Sequence, residues 1–296
     1  MTFYIQTFKQ SSNYLKMFRK DDIWNFTMPL PNTNLTLRGH SRGSEKSCFY
    51  IPEVGLYFDA GIAPCSYAKS VFITHGHHDH SEELPKYASG FNIVNKPYPL
   101  ICVPEEAKGY FQAFLDSSYN LCKHTSDNGH IRVKGTSPGE IVDLNQRDYF
   151  VEVFDLIHGV MPTRAYGLCQ NRRKLNPKYT SLPKEEIIEL KKHASDFYVQ
   201  TINKLVVYIC DTCIQGWEMN PDFTKYKNVI IECTFLGDDV GHPNHHITWK
   251  ELEPEVHNNP NVNFILIHFS ARYETQYIKD YFEGEKIPTN VYVWLN

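Results

Sequence analysis

A layered α/β protein, built as one large domain or two closely packed ones, is the fold class predicted by this chain of 296 residues. Three observations carry that expectation. Short apolar runs of strand length recur at 70–74, 100–103, 150–154, 205–209, 229–231, 264–267 and 291–294. Between them lie longer stretches with apolar residues at helical spacing, so strands and helices alternate. The composition, 42% hydrophobic and 22% charged, is that of a globular chain and excludes disorder and low-complexity fibres.

Taken in order, residues 1–34 are aromatic and end in the breaker Pro29-Leu30-Pro31-Asn32. They are expected as an N-terminal extension packed on a main domain of residues 35–296. The basic, acid-free start (Lys9, Lys16, Arg19, Lys20) has the bias of a transit peptide, but the aromatic alternation from Thr2 to Phe8 fits a strand better. The runs at 48–52 and 55–59 flank a turn and read as a hairpin. Residues 70–74 read as a buried strand. Helices are predicted over 105–115, 249–256 and 271–282, the last closed by Gly284. A further helix is predicted over 183–199, with Pro183 in its first turn and Ile187, Leu190, Ala194 and Phe197 on one face. No internal repeat or flexible linker interrupts the series.

The same composition narrows the function. No apolar stretch approaches the ~18–20 residues of a membrane helix, and no secretory apolar region opens the chain. A net charge of −4 provides no global basic field for nucleic acid. The eight cysteines are too dispersed for a disulfide scaffold, and Cys210-x-x-Cys213 lacks the second pair of a zinc knuckle. They are expected reduced, in the cytoplasm, with nucleus and organelle left open.

The informative segment is His75-Gly76-His77-His78-Asp79-His80, which follows the apolar strand ending at Thr74. One such histidine is ordinarily a satisfied core or surface residue. Several imidazoles and a carboxylate on one loop are the donors zinc takes at about 2.0–2.2 Å. The loop can fold His75 and His77 around one ion and Asp79 and His80 around another. His78 is the odd one out and is read as a non-ligand.

These residues resemble the signature of the metallo-β-lactamase superfamily, and supporting motifs follow in its order. Phe58-Asp59-Ala60-Gly61 looks like its D-x-G strand end. His158 follows the strand at 151–157, and His268 the strand at 264–267. Tyr208-Ile209-Cys210-Asp211-Thr212 is similar to its Y-x-G-D-T segment, with Cys210 in place of glycine. The resemblance implies a four-layer αβ/βα sandwich with the metals at one edge, where strand-end loops converge. It also implies two zinc ions, with iron or manganese as alternatives. It gives His75, His77 and His158 to the first ion and Asp79, His80 and His268 to the second, with Asp211 bridging. Such ions clamp the attacking and leaving oxygens of a displacement and make hydroxide available near pH 7. Asp79 would also accept a proton. Asp59 reads either as a partner of a ligand imidazole or as a turn residue before Gly61.

Within the superfamily, His268-Phe269-Ser270-Ala271-Arg272-Tyr273, Glu232-Cys233-Thr234-Phe235 and His246-Ile247-Thr248 resemble segments of ribonuclease Z, which trims precursor tRNA at its 3′ end. That resemblance implies an RNA substrate, precursor tRNA included, and makes His246 the general acid oriented by Glu232. Ser270 and Arg272 become candidate substrate contacts, Arg272 alternatively being the first turn of the following helix. The family's Gly/Pro-rich arm is absent between His158 and Asp211. In its place stands a basic segment with Arg172, Arg173 and Lys174, which reads as a phosphate-binding patch or as a solvated loop and helix face. The expected function is therefore a zinc-dependent phosphodiesterase of ribonuclease Z type, without a membrane partner and with homodimerisation open. The rival is a small-molecule hydrolase on the same fold (cyclic-nucleotide diesterase, β-lactamase, lactonase or thioesterase), which needs neither the basic segment nor the Glu232/His246 pair. A non-catalytic zinc scaffold would have lost ligands, and none is lost.

Overall fold

The computed structural model describes residues 23–89, 97–122, 131–146, 148–237, 245–284 and 287–295. Most of the N-terminal extension, residues 1–22, lies outside them. Two seven-stranded sheets make up the frame. The first runs in chain order through β1 (Thr27–Pro29), β2 (Thr36–Arg42), β3 (Lys46–Ile51), β4 (Leu56–Phe58), β5 (Ser70–Phe72), β6 (Leu100–Pro104) and β7 (Val133–Thr136). The second is ordered β14-β13-β12-β11-β10-β9-β8, from Val291–Val293 back through Asn263–Ile267, Asn228–Glu232, Tyr198–Ile209, Met161–Leu175 and Tyr149–His158 to Ile141–Gln146. Both sheets are mixed: β4 to β7 are parallel in one and β11 to β14 in the other, while hairpins build the remainder.

The apolar runs are buried because each sheet is covered on both faces. Between the sheets, Phe49, Phe58, Phe72, Tyr166, Val206, Tyr208, Ile230 and Ile265 form one core cluster. Outside the first sheet, Tyr57, Val71, Ile73 and Val103 pack with Tyr87, Phe111 and Leu115 of the helices Leu84–Ser89 and Lys108–Cys122. Outside the second, Val207, Ile231 and Leu266 pack with Trp249, Leu252, Ile278 and Phe282 of the helices Trp249–Asn258 and Thr275–Gly284. This is the expected helix–sheet–sheet–helix order. The described end of the N-terminal segment belongs to it, since β1 pairs with β2 and Phe26 and Met28 enter the inter-sheet core.

The hairpin at 46–58 forms as expected, whereas several helix boundaries move. The helix expected over 183–199 spans only Lys184–His193, and Tyr198 already begins β11. From Tyr198 to Asn203 exposure alternates with a period of two, which a strand accommodates and a helix does not. Phe197 is buried beyond the helix end, against Tyr179. The last helix starts at Thr275, so Arg272 precedes it rather than forming its first turn. The largest departure is the length of β10 and β11, which stay paired out to Leu175↔Tyr198. Arg172, Arg173 and Lys174 therefore sit on an exposed two-stranded ribbon, not on a loop.

Candidate metal centre

Strand direction puts the chemistry at one edge. β9, β11, β12 and β13 all run the same way, so His158, Asp211, Glu232 and His268 emerge at the same end of the second sheet. Asp59 and His75 leave the parallel strands β4 and β5 of the first sheet. Asp59, Asp211 and His268 each turn out of a strand at positive φ (60°, 45° and 61°), a conformation costly for non-glycine residues and concentrated at functional sites. Glycine at 61 permits a close approach: a Cβ there would lie 1.8 Å from the Asp79 carbonyl oxygen. The neighbouring Ala60 N–H donates to the His80 carbonyl at 2.7 Å, so the D-x-G turn holds the histidine loop in place.

The structure brings all the expected ligand residues together, in two nests around Asp211. One carboxylate oxygen of Asp211 lies 3.6 Å from His75 Nε2 and 3.7 Å from His158 Nε2, and His77 Nδ1 stands 2.9 Å from His75 Nε2. The other oxygen lies 3.4 Å from His80 Nε2 and 3.2 Å from His268 Nε2. Asp79 faces those two nitrogens at 3.4 and 3.6 Å. His78 is exposed and takes no part in either nest.

The far nitrogens explain why these donors fit a cation. His158 Nδ1–H donates to the His245 carbonyl at 2.7 Å, and His80 Nδ1–H to the Asp59 carboxylate at 2.8 Å. Thr74 gives its hydroxyl hydrogen to Asp59 and so accepts from His75 Nδ1–H at 3.0 Å. Thr234 gives its own to Glu232 and accepts from His268 Nδ1–H at 3.1 Å. The Nε2 atoms of all four rings are thereby left as lone pairs pointing at one another, His80 and His268 at 3.3 Å. Facing lone pairs repel unless a positive charge lies between them, and this donation from the far nitrogen is the usual second support of metal-bound histidine. Asp59 also accepts from the Thr74 N–H and the Tyr208 hydroxyl, so the turn-residue reading covers only part of its role.

The charges agree. Burial pushes the His75 imidazole well below its ordinary pKa, with His80 adding repulsion, so it is a neutral donor. Burial opposes a charge on His80 too, but the Asp211 and Asp59 carboxylates prevail and favour a positive charge at its Nε2, the place a bound cation would take from a proton. Burial works against the Asp79 anion, yet its place beside His268 and His80, where positive charge is favoured, holds its pKa down.

Beside the second nest stands the expected pair. His246 Nδ1 is 3.2 Å from both oxygens of Glu232. Glu232 is fully buried at the end of β12, where a bare carboxylate would be prohibitive. Four donors satisfy it: the Thr212 and Ile247 N–H groups, the Thr234 hydroxyl and His246. His246 is placed by the helix that follows, whose start is locked by a capping box between Thr248 and Glu251 and by a bridge from Phe235 to Thr248. Burial disfavours the imidazolium, but Glu232 overcomes it and pushes His246 up to about 9. Cations bound in the nests would draw that value back down. Thr234 was not singled out in the sequence, although the capping-box spacing Thr248-x-x-Glu251 is legible there.

The proposed substrate contacts divide. Ser270 and Arg272 lie near the centre: the Ser270 N–H donates to the Thr234 carbonyl at 3.0 Å, and the Arg272 guanidinium is 4.8 Å from the ring of Phe235, whose ring is 6.0 Å from that of His246. Arg172, Arg173 and Lys174 are not brought to it. Met161 pairs with His158 at the metal edge, and Arg172 is eleven residues further along β10. At about 3.3 Å per residue the separation is roughly 36 Å.

No family model matches the chain. It is similar to tRNase Z TRZ1 of Arabidopsis thaliana, 29% identical over 252 residues that cover 82% of this chain and 88% of that protein. It is 25% identical to the chloroplastic tRNase Z TRZ2 of the same plant, over 82% of this chain and 70% of that protein. The nuclear ribonuclease Z of Triticum aestivum is 29% identical over 157 residues, covering 52% of this chain and 86% of that one. Among solved structures, the metallo-β-lactamase fold protein YhfI from Bacillus subtilis aligns with a TM-score of 0.55 at 14% identity, over 86% of this chain and 94% of that one. The short form of human tRNase Z aligns at 0.50 and 17%, over 83% and 89%.

Proposed function

We infer that this chain, which has the metallo-β-lactamase fold and tRNase Z and ribonuclease Z proteins as curated relatives, is a metal-dependent hydrolase of ribonuclease Z type that cleaves an RNA phosphodiester. The observation that carries the reading is the Glu232–His246 pair at 3.2 Å beside a double nest of metal donors. A ribose oxygen is a poor leaving group and needs a proton as its bond to phosphorus breaks, whereas many small esters do not. A buried carboxylate holding an imidazole in its charged form is suited to supplying one.

In detail, His75, His77 and His158 would hold one ion, Asp79, His80 and His268 a second, with Asp211 shared; we propose zinc. Bound there, the ions would supply Lewis acidity and a hydroxide nucleophile at neutral pH. Asp79, on the more open side of the nest, would accept the proton of the attacking water. His246 Nε2 would deliver a proton to the departing oxygen, with Glu232 orienting the ring through Nδ1. Arg272, on the rim over Phe235, would bind a phosphate oxygen. The ribbon at 172–174 would bind RNA backbone roughly 36 Å from the cut, a distance that favours a long folded RNA over a small diester. Precursor tRNA is the substrate we propose. All eight cysteines are free, which supports a reducing compartment, with the cytoplasm as the proposed one. Among the described residues no helix is long and apolar enough to cross a membrane.

The test is a panel. Metal-loaded protein is incubated in parallel with precursor tRNA, bis(p-nitrophenyl) phosphate, a cyclic nucleotide and a chromogenic cephalosporin. Chelator-sensitive cleavage of the RNA is expected. Turnover of the cephalosporin or the cyclic nucleotide, with the RNA left intact, would overturn the reading.

A further inference from the structure

Cys210 is the one residue in the metal segments that breaks the motif they resemble, and the function described above makes no use of it. It ends the inward-facing series Val206, Tyr208, Cys210 and is fully buried in the inter-sheet core. Its sulfur is 3.2 Å from Asp211 Oδ1, the oxygen that faces the second nest. With single donor atoms from His80, Asp211 and His268 it forms a set lying within 4.8 Å of one another. Asp79 reaches the same two imidazoles from the more open side, its side chain 14% exposed, whereas the thiol rises from the interior.

We propose that Cys210 is a metal ligand of the second nest, binding a thiophilic divalent ion from below as a thiolate. The sulfur–metal bond replaces the S–H bond, and the proton leaves to solvent. The proposal rests on the reading of the two nests as metal sites, and adds a soft donor to a set otherwise made of imidazole and carboxylate. Thiolate selects zinc and other thiophilic ions, while carboxylate and water suit manganese. A site completed by Cys210 should therefore discriminate between zinc and manganese in a way the two nests without it would not. The competing arrangement keeps the thiol protonated, with Cys210 only donating a hydrogen bond to Asp211.

The full chain carrying Cys65→Ser and Cys122→Ser, which removes the two exposed thiols, is stripped of metal and titrated anaerobically with Co²⁺. Visible d–d bands report cobalt in the nests, and a near-ultraviolet thiolate-to-cobalt band reports sulfur ligation. Both are expected, and Cys210→Ala in the same background should abolish only the second. Cys213→Ala, three positions further along the chain and outside every donor cluster among the described residues, should keep both. Competition titration should show zinc affinity falling on the order of tenfold or more in Cys210→Ala, with manganese affinity unchanged. Cys210→Ser serves as a second variant should the alanine protein fold poorly. Strong d–d bands without the sulfur band, or a sulfur band that survives Cys210→Ala, would refute the ligand and leave the nests standing. No cobalt binding at all would instead refute the metal reading on which it rests.

Discussion

Replacing His246 by alanine should separate the chemistry of the two nests from the delivery of a proton. The imidazole is held by Glu232 at 3.2 Å through both oxygens, and by the capped helix start at Thr248. Removing it takes away a donor and leaves every residue proposed as a metal ligand in the chain, although its ring packs against those of His158 and His268. General acid catalysis is typically worth about 10²–10⁴-fold, or roughly 3–5 kcal/mol of barrier. Single-turnover RNA cleavage should fall within that range. Hydrolysis of bis(p-nitrophenyl) phosphate, whose nitrophenolate leaves unaided, should stay close to wild type. Glu232→Gln should behave differently, because the carboxylate also accepts from Thr212, Ile247 and Thr234. A glutamine presents an NH₂ to one of these donors, and an unsatisfied buried group costs about 1–3 kcal/mol. Through Thr234 the disturbance reaches His268, and through Thr212 it reaches Asp211. Glu232→Gln should thus lose metal affinity and slow both substrates. If His246→Ala slowed the nitrophenyl diester as much as the RNA, the general-acid assignment would be wrong.

Asp79→Ala should abolish hydrolysis of both substrates while the folded protein still binds an ion through His75, His77 and His158; an active variant would remove Asp79 from the mechanism. Asp59→Asn should weaken metal binding by about 10–100-fold, since the amide cannot accept from His80, Thr74 and Tyr208 together; calorimetric titration with zinc checks this, and an unchanged affinity would make Asp59 a turn residue only. Reversing the charge of Arg172, Arg173 and Lys174 should weaken RNA binding and flatten its salt dependence without altering nitrophenyl diester turnover; equal losses on both substrates would point to misfolding instead.

The proposed ligand positions were legible because they are short local patterns at strand ends, and strand ends are where parallel strands deliver side chains to a common edge. The buried runs were legible for the same reason that they are buried: Val229-Ile230-Ile231 and Phe264-Ile265-Leu266-Ile267 are apolar on both faces, as a covered parallel strand must be. The far half of β10 was not. Gln170 to Lys174 is polar and mostly exposed, because the ribbon leaves the core and no helix covers it. Hydrophobic patterning reports burial, and an exposed strand leaves little of it. The role of Thr234 was equally hidden, since a hydroxyl shared by Glu232, His246 and His268 is a coincidence of the two ends of the connection after β12 and the loop after β13.

The central claim is that Asp211 is shared between two metal ions. Anomalous diffraction from crystals grown with zinc tests it most directly. Two peaks about 3.5–4 Å apart, one within bonding distance of His75, His77 and His158 and the other of His80 and His268, each touching one oxygen of Asp211, are the predicted result. A single peak, or two peaks with Asp211 bound to neither, would contradict it.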